Sequence, residues 1–268
     1  MIKDITLGQY FPADSVIHRL DPRCKLILTV LFMVYLFMTQ NAFVYAGLAA
    51  FLVVSILMSK IPFGFFLRGL KPVAFLIAFT AVFNLFFGAA NAEHIYFSWG
   101  IIRITDAGIR TAVLMAIRIL LLVAATSLLT FTTTPILLTD ALERLLSPLK
   151  KLGVPVYEFA MMMTSALRFI PTLIEEVDKI IKAQAARGAD FESKNLIRRA
   201  KSFIPVLVPL FISAFRRADD LATAMESRCY HGGDGRTRLR DLKFERRDAV
   251  AFTLFALIGV GLILLLVL

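Results

Sequence analysis

Two arginines carry the most distinctive chemistry in this sequence. Arg187 stands in Ala186-Arg187-Gly188 and Arg228 in Ser227-Arg228-Cys229, 41 residues apart, each closing an amphipathic run. A guanidinium is a planar fork of donors that stays charged and pairs bidentately with a carboxylate or phosphate. An arginine before a glycine is also an ordinary helix end, with the cation favoured by the helix dipole and the glycine by its free φ. That plainer reading covers Arg187 taken alone. Cysteine is a poor residue for such an end, so Arg228 argues for more. Two arginines presented by two helices form a paired docking site.

Other chemistries lack their residues. None of the 14 glycines is followed by lysine, so no phosphate-cradling loop of the nucleotide-hydrolase type is present. No carboxylate falls between Asp21 and Glu93 or between Asp106 and Asp140, whereas an ion-coupled carrier keeps an acid near the bilayer midplane. The three histidines lack partners at metal spacing. The chain reads as neither an enzyme nor a self-sufficient carrier, with no cofactor or metal of its own. In the loop after Cys229, the glycines at 232–235 read as flexible, and phosphate contact by Arg236 and Arg238 is the minor alternative.

The elements that must position the arginines are set by hydropathy. Of 268 residues, 58% are hydrophobic and 24 are Phe, too apolar for a soluble domain of this size. The net charge of +10, beside long apolar runs, reports cytoplasmic loops rather than nucleic-acid binding. Cys24 and Cys229 both fall on the expected cytoplasmic side, which argues against a disulfide, and no cleavable signal peptide is evident. The fold class expected is an all-α polytopic membrane protein, with about five transmembrane helices and a large cytoplasmic coupling domain of amphipathic helices. Residues 1–134 form the N-terminal membrane domain with four spans, 135–247 the coupling domain, and 248–268 the C-terminal transmembrane helix.

Within that frame, Arg19, Arg23 and Lys25 before the first apolar run place the N-terminus in the cytoplasm, and Asp21-Pro22 is a helix start. Residues 26–58 as one helix would be roughly 50 Å long, far beyond a hydrocarbon core of about 30 Å, so they split at Gln40-Asn41. Lys60, Arg68 and Lys71 mark a cytoplasmic loop over 59–71, and the third span is expected from Pro72 to Phe87. Residues 95–104 predict an external hairpin around Trp99-Gly100, with Tyr96 and Trp99 suited to the interfacial belt. Thr105 or Asp106 starts the fourth span, whose Arg110 and Arg118 share a face directed at other helices or water. Five crossings put the C-terminus outside.

The coupling segment opens at Thr134-Pro135. Leu137, Leu138, Ala141, Leu142, Leu145, Leu146 and Leu149 make a narrow apolar stripe, that of a helix lying on something. A second amphipathic helix runs from about Leu173 to Arg187, after a more apolar stretch over 155–174. A third carries Phe203, Leu207, Leu210, Phe211, Ala214, Ala218, Leu221, Ala222 and Met225, with Arg216, Arg217, Asp219 and Asp220 on the opposite face.

Taken as an ordered set, several motifs resemble one family. They are the stretch from His18 to Lys25, Arg118 with Thr132-Thr133-Thr134-Pro135, Arg168-Phe169-Ile170-Pro171, the stretch from Gln184 to Gly188, and Ala224 to Tyr230 followed by Gly235-Arg236-Thr237. The family is the transmembrane energy-coupling subunit, or T component, of energy-coupling factor importers for vitamins and metals. One departure is Ser227-Arg228-Cys229, where the family's second motif is usually Ala-Arg-Gly. The resemblance implies a multi-pass protein of the bacterial cell membrane. It implies two partner ABC-type ATPases forming a heterodimer, which bind the ATP and dock Ala186, Arg187, Gly188, Ser227, Arg228 and Cys229. It also implies a small membrane substrate-binding subunit, one of several that exchange, held against Leu138, Leu142, Leu145, Leu207, Leu210, Phe211, Ala214 and Leu221. Asp21, Arg23 and Lys25 are expected to form a structural cluster on the cytoplasmic side. Beside the lipid bilayer no other partner is expected, and nucleic acid is excluded. The competing readings are a stand-alone carrier or channel and a membrane scaffold without transport.

Overall fold

The computed structural model of the chain describes residues 10–39, 41–87, 95–99, 102–191, 195–232 and 243–267. The helices are α1 (Pro22–Met38), α2 (Ala42–Ser59), α3 (Phe63–Phe87), α4 (Asp106–Thr132), α5 (Pro135–Leu146), α6 (Val156–Ala186), α7 (Leu196–Glu226) and α8 (Arg246–Val267). A 3₁₀ turn, Ser147–Leu152, follows α5, and two strands, β1 (Ile95–Trp99) and β2 (Ile102–Thr105), precede α4. The chain divides into two compact units, one of Gly8–Ala141 with Asp241–Leu268 and one of Leu142–Arg240 with Met1–Leu7.

In the first unit local chemistry sets the helix starts. The Asp21 carboxylate accepts from the Arg23 amide and Pro22 takes the first turn, where its missing N–H costs nothing. Asn41 and Thr105 cap α2 and α4 in the same way. Strands β1 and β2 pair antiparallel, the hairpin that the sequence predicts; its turn at 100–101 lies outside the described residues.

Among the described residues three helices, α2, α3 and α4, are long and apolar enough to cross a membrane. At 17 residues α1 is about 26 Å long, close to the thickness of a hydrocarbon core. The third span begins earlier than hydropathy indicates. Only residues 60–62 separate α2 from α3, so Arg68, Lys71 and Pro72 lie within α3 rather than in a loop. Arginine and lysine interrupt hydropathy but are good helix formers, and one helical proline removes a single bond that a long helix tolerates.

The core of this unit joins Leu36, Tyr45, Leu48 and Leu52 of α1 and α2 to Leu121 and Phe131 of α4 and Phe255 of α8. Helices α3 and α4 approach closely through small residues, as bilayer-embedded helices do. A Cβ added at Gly108 would stand 3.1 Å from the Leu85 carbonyl oxygen. Arg118 meets the turn between α1 and α2: its Nε donates to the Tyr45 hydroxyl at 2.7 Å and its Nη2 to the Thr39 carbonyl at 3.0 Å. It faces protein, as a deep arginine must, whereas Arg110 on the same helix is exposed. On α3, Phe75, Phe79 and Phe83 stack in a ladder on a largely uncovered face.

Three helix ends gather at one face of this unit. The buried Asp248 carboxylate accepts from the Asp21 amide and from the Glu245 amide, both at 2.8 Å, fastening the start of α8 to the start of α1. Lys25 Nζ donates to the carbonyls of Thr132 at 2.9 Å and His18 at 3.1 Å, which brings the end of α4 to the same place. Arg23 grips the Asp21 carboxylate through Nε and Nη2 and lies 4.2 Å from the centre of the Phe244 ring. Asp21, Arg23 and Lys25 thus lie at these gathered helix ends together with Asp248, which hydropathy does not single out.

In the second unit α6 and α7 each have 31 residues, about 46 Å of helix. The apolar stretch over 155–174 and the amphipathic run after it are one helix, continuous through Pro171. Pairings along the two helices fix their sense. The α6 partner moves from Gln184 to Glu176 to Met161 as the α7 partner moves from Pro205 to Arg217 to Tyr230, just past the helix. They form an antiparallel hairpin. Pro209 has no N–H to give the carbonyl four residues back, that of Pro205; Gln184 Nε2 reaches it from α6 at 3.5 Å.

Candidate functional site

Both arginine triplets sit at the ends of the long hairpin helices, in one backbone geometry. At the first end the Ala189 amide donates to the Gln184 carbonyl at 3.0 Å and the Gly188 amide to the Ala185 carbonyl at 3.0 Å. At the second, the Tyr230 amide donates to the Met225 carbonyl at 3.1 Å and the Cys229 amide to the Glu226 carbonyl at 2.9 Å. This nested pair of bonds uses up carbonyls that a helix end otherwise leaves open, and it needs a left-handed residue after the cap. Gly188 supplies it with φ 87° and Cys229 with φ 54°. Arg187 and Arg228 each stand one residue before that left-handed residue. The two positions are equivalent.

All six residues, Ala186, Arg187, Gly188, Ser227, Arg228 and Cys229, are exposed. Among the described residues no hydrogen bond or ion pair engages either guanidinium. Each end is braced by an aromatic ring shortly after the arginine. Phe191 packs edge-on against Phe203 at 5.5 Å, helped by the Ser202 hydroxyl donating to the Asp190 carbonyl at 2.9 Å. The Tyr230 hydroxyl lies 3.1 Å from the Met161 sulfur. In the antiparallel register Arg187 is level with about Phe203, so the two arginines lie roughly 37 Å apart along the hairpin.

The seam between α6 and α7 engages a residue from the face opposite the apolar stripe: the partly exposed Arg217 pairs through its Nη2 with the Glu176 carboxylate at 2.8 Å. Hydrogen bonding from Ser213, with the Arg217 charge beside it, holds the Glu176 carboxyl below the usual carboxylate range. The apolar stripe of α7 is divided likewise. Leu210, Ala214 and Leu221 are half-buried on the side shared with buried Val206 and with Arg217, whereas Leu207 and Phe211 are exposed. Beside them, Ile204, Val208, Ile212 and Phe215 extend an uncovered apolar face that the sequence reading did not single out. Their spacing of three and four residues was the available signal. On α5, Leu138 and Leu145 are half-buried and Leu142 is exposed.

No group of three histidine, cysteine or acidic residues stands close enough to hold a metal ion among the described residues. Cys24 is buried and Cys229 exposed, and both are free thiols. Residues 233–240, with Arg236 and Arg238, lie outside the described residues.

The cobalt transport protein family, CbiQ, matches residues 13–239. The chain is 56% identical over 250 residues to the energy-coupling factor transporter transmembrane protein EcfT of Ruminiclostridium cellulolyticum, covering 93% of this chain and 92% of that protein. It is 54% identical over 252 residues to the EcfT of Clostridium kluyveri, covering 94% and 93%. With the EcfT of Bacillus subtilis it shares 45% over 248 residues, 92% of this chain and 93% of that one. Matches of that extent, together with membrane-length helices and an amphipathic hairpin, place the chain in the CbiQ family as a membrane component of an energy-coupling factor transporter.

Proposed function

We propose that this chain converts ATP hydrolysis by two ABC-type ATPases into movement of a separate substrate-binding membrane subunit during vitamin or micronutrient uptake. The observation that carries the reading is the equivalence of the two arginine-bearing ends at opposite ends of one hairpin. Each end offers an exposed guanidinium on a rigid, capped helix terminus, suited to a groove carboxylate. A separation of roughly 37 Å is too wide for one groove and suits two subunits side by side. When the ATPases close, their grooves move the two ends, and the hairpin carries that motion along its seam. The face of Leu207, Phe211 and Phe215, with Leu142 of α5, takes the substrate-binding subunit.

Membrane orientation follows the same logic. The starts of α1 and α8 and the end of α4 share one face, and Arg19, Arg23 and Lys25 mark that face as cytoplasmic. On this reading α1 and α8 complete five crossings, and the β1–β2 hairpin and the C-terminus lie outside.

The test is Arg187→Glu with Arg228→Glu. Charge reversal at both ends is expected to abolish co-purification of the ATPases and vitamin uptake while the membrane spans stay folded. Unchanged assembly and uptake reduce the arginines to helix caps and sink the proposal. Uptake without any ATPase would point instead to a stand-alone carrier. ATPase binding without uptake in the parent protein would point to a scaffold.

A further inference from the structure

A short turn outside the hairpin seam combines an exposed leucine edge with two lysines. In a 3₁₀ turn residues three apart eclipse one another, so Leu146, Leu149 and Leu152 line a single edge across Ser147–Leu152. Lys150 and Lys151 occupy the other two edges. Leu152 is 82% exposed, more than any other large apolar side chain among the described residues, and Val154 continues the same surface at 41%. The turn is preformed: Gly153, at φ 82°, donates its amide to the Lys150 carbonyl at 3.0 Å, and the Val154 amide reaches the Leu149 carbonyl. From Arg144 to Tyr157 the segment contains cations and no acid. Along the chain, two residues and the 12-residue α5 separate the turn from the end of α4.

We propose that residues 146–154 are an interfacial anchor that seats its leucine edge in the anionic leaflet at which α4 ends. An apolar edge of this kind meets either lipid or protein, and the lysines decide between them. Lysine is depleted in protein–protein interfaces because its ammonium is costly to desolvate. At a bilayer surface the same side chain lays its methylenes along the apolar zone and keeps its charge among anionic headgroups. The inference goes beyond the ATPase-docking reading and does not depend on it.

The experiment places a single tryptophan at the edge. The full chain with Trp99→Phe and Leu152→Trp is reconstituted in nanodiscs of phosphatidylglycerol or phosphatidylcholine that carry brominated acyl chains. Leu149→Trp serves as a second reporter. Phe79→Trp, on the uncovered face of α3, is the positive control in both lipids. The expected result is blue-shifted emission quenched by bromine in phosphatidylglycerol. Lys150→Gln with Lys151→Gln should shift the balance between inserted and solvated turn by roughly 25-fold, at about fivefold per lysine. Water-like, unquenched emission at both reporters overturns the proposal. So does shielding that arises only on adding the ATPases or a substrate-binding subunit, or quenching that is equal in the two lipids and indifferent to the lysines. Repeating the measurement with Arg187→Glu and Arg228→Glu separates the two readings: the quenching should persist whether or not those arginines dock ATPases.

Discussion

The ends of α6 and α7 close with the same two backbone bonds around different residues. At 184–189 the left-handed position is glycine, which pays nothing for φ 87°, and a Cβ there would touch nothing within 4 Å. At 225–230 the position is cysteine, which reaches φ 54° against a steric penalty of about 1–2 kcal/mol. The shape is kept where the cheaper residue is absent. Other terms must therefore hold the second end in place, and the Tyr230 contact with Met161 is one of them. What the two ends share is an arginine one residue before the left-handed position.

The largest effects should come from testing that equivalence directly. Arg187→Glu and Arg228→Glu, made singly, should each weaken ATPase docking by about 2–5 kcal/mol, the usual cost of breaking a partly desolvated charge pair. Equal losses in a binding titration with purified ATPases sharpen the comparison. A loss at one end alone breaks it, since two equivalent geometries would then serve different purposes.

Exchanging the left-handed residues comes next. Cys229→Gly should stabilise its helix end by about 1 kcal/mol, and Gly188→Cys should cost a similar amount, with docking retained in both. Amide exchange at Tyr230 is expected to slow roughly fivefold in the first variant, and that at Ala189 to quicken roughly fivefold in the second. If Cys229→Gly leaves Tyr230 unchanged, the cysteine is not strained.

The smallest effect lies in the seam that joins the ends. Because the Glu176 carboxyl is held below its ordinary range, the folded hairpin favours its ionised form. That contribution is present above the unfolded-state value and is lost as pH falls through the depressed folded value. The pair is partly exposed, so Glu176→Gln should cost well under about 1 kcal/mol at neutral pH and should flatten the acid side of the hairpin's stability curve. An acid limb that is the same in the variant removes Glu176 from the seam's pH response.

Much of this was legible from residues alone because it depends on local chemistry. Asp21-Pro22 and Thr105 start helices through their own side chains, and the β1–β2 hairpin follows from strand formers around a turn. The early start of α3 was not legible, since hydropathy registers Arg68 and Lys71 as a loop whereas backbone propensity does not. Asp248 is the first residue of the span expected over 248–268, and hydropathy gives it no further role, although its spacing from Glu245 is that of a capping box. Arg217 lies opposite the apolar stripe, and its pairing with Glu176 was not legible because periodicity separates faces without saying which one meets a neighbour.

Residue types and short-range spacing are enough to show that the chain has membrane-length helices, that its amphipathic runs end in arginines, and that a carboxylate is absent from most of its spans. Composition and short-range spacing suffice for those, because each depends on residues within a turn or two of one another. Only the tertiary structure decided that α6 and α7 run antiparallel with their arginines at opposite ends, and that Cys229 adopts the conformation of Gly188. It also decided that one side of α7 is spent on α6 while another stays open. These are pairings between residues tens of positions apart, and they are set by which surfaces can be buried together rather than by any local preference.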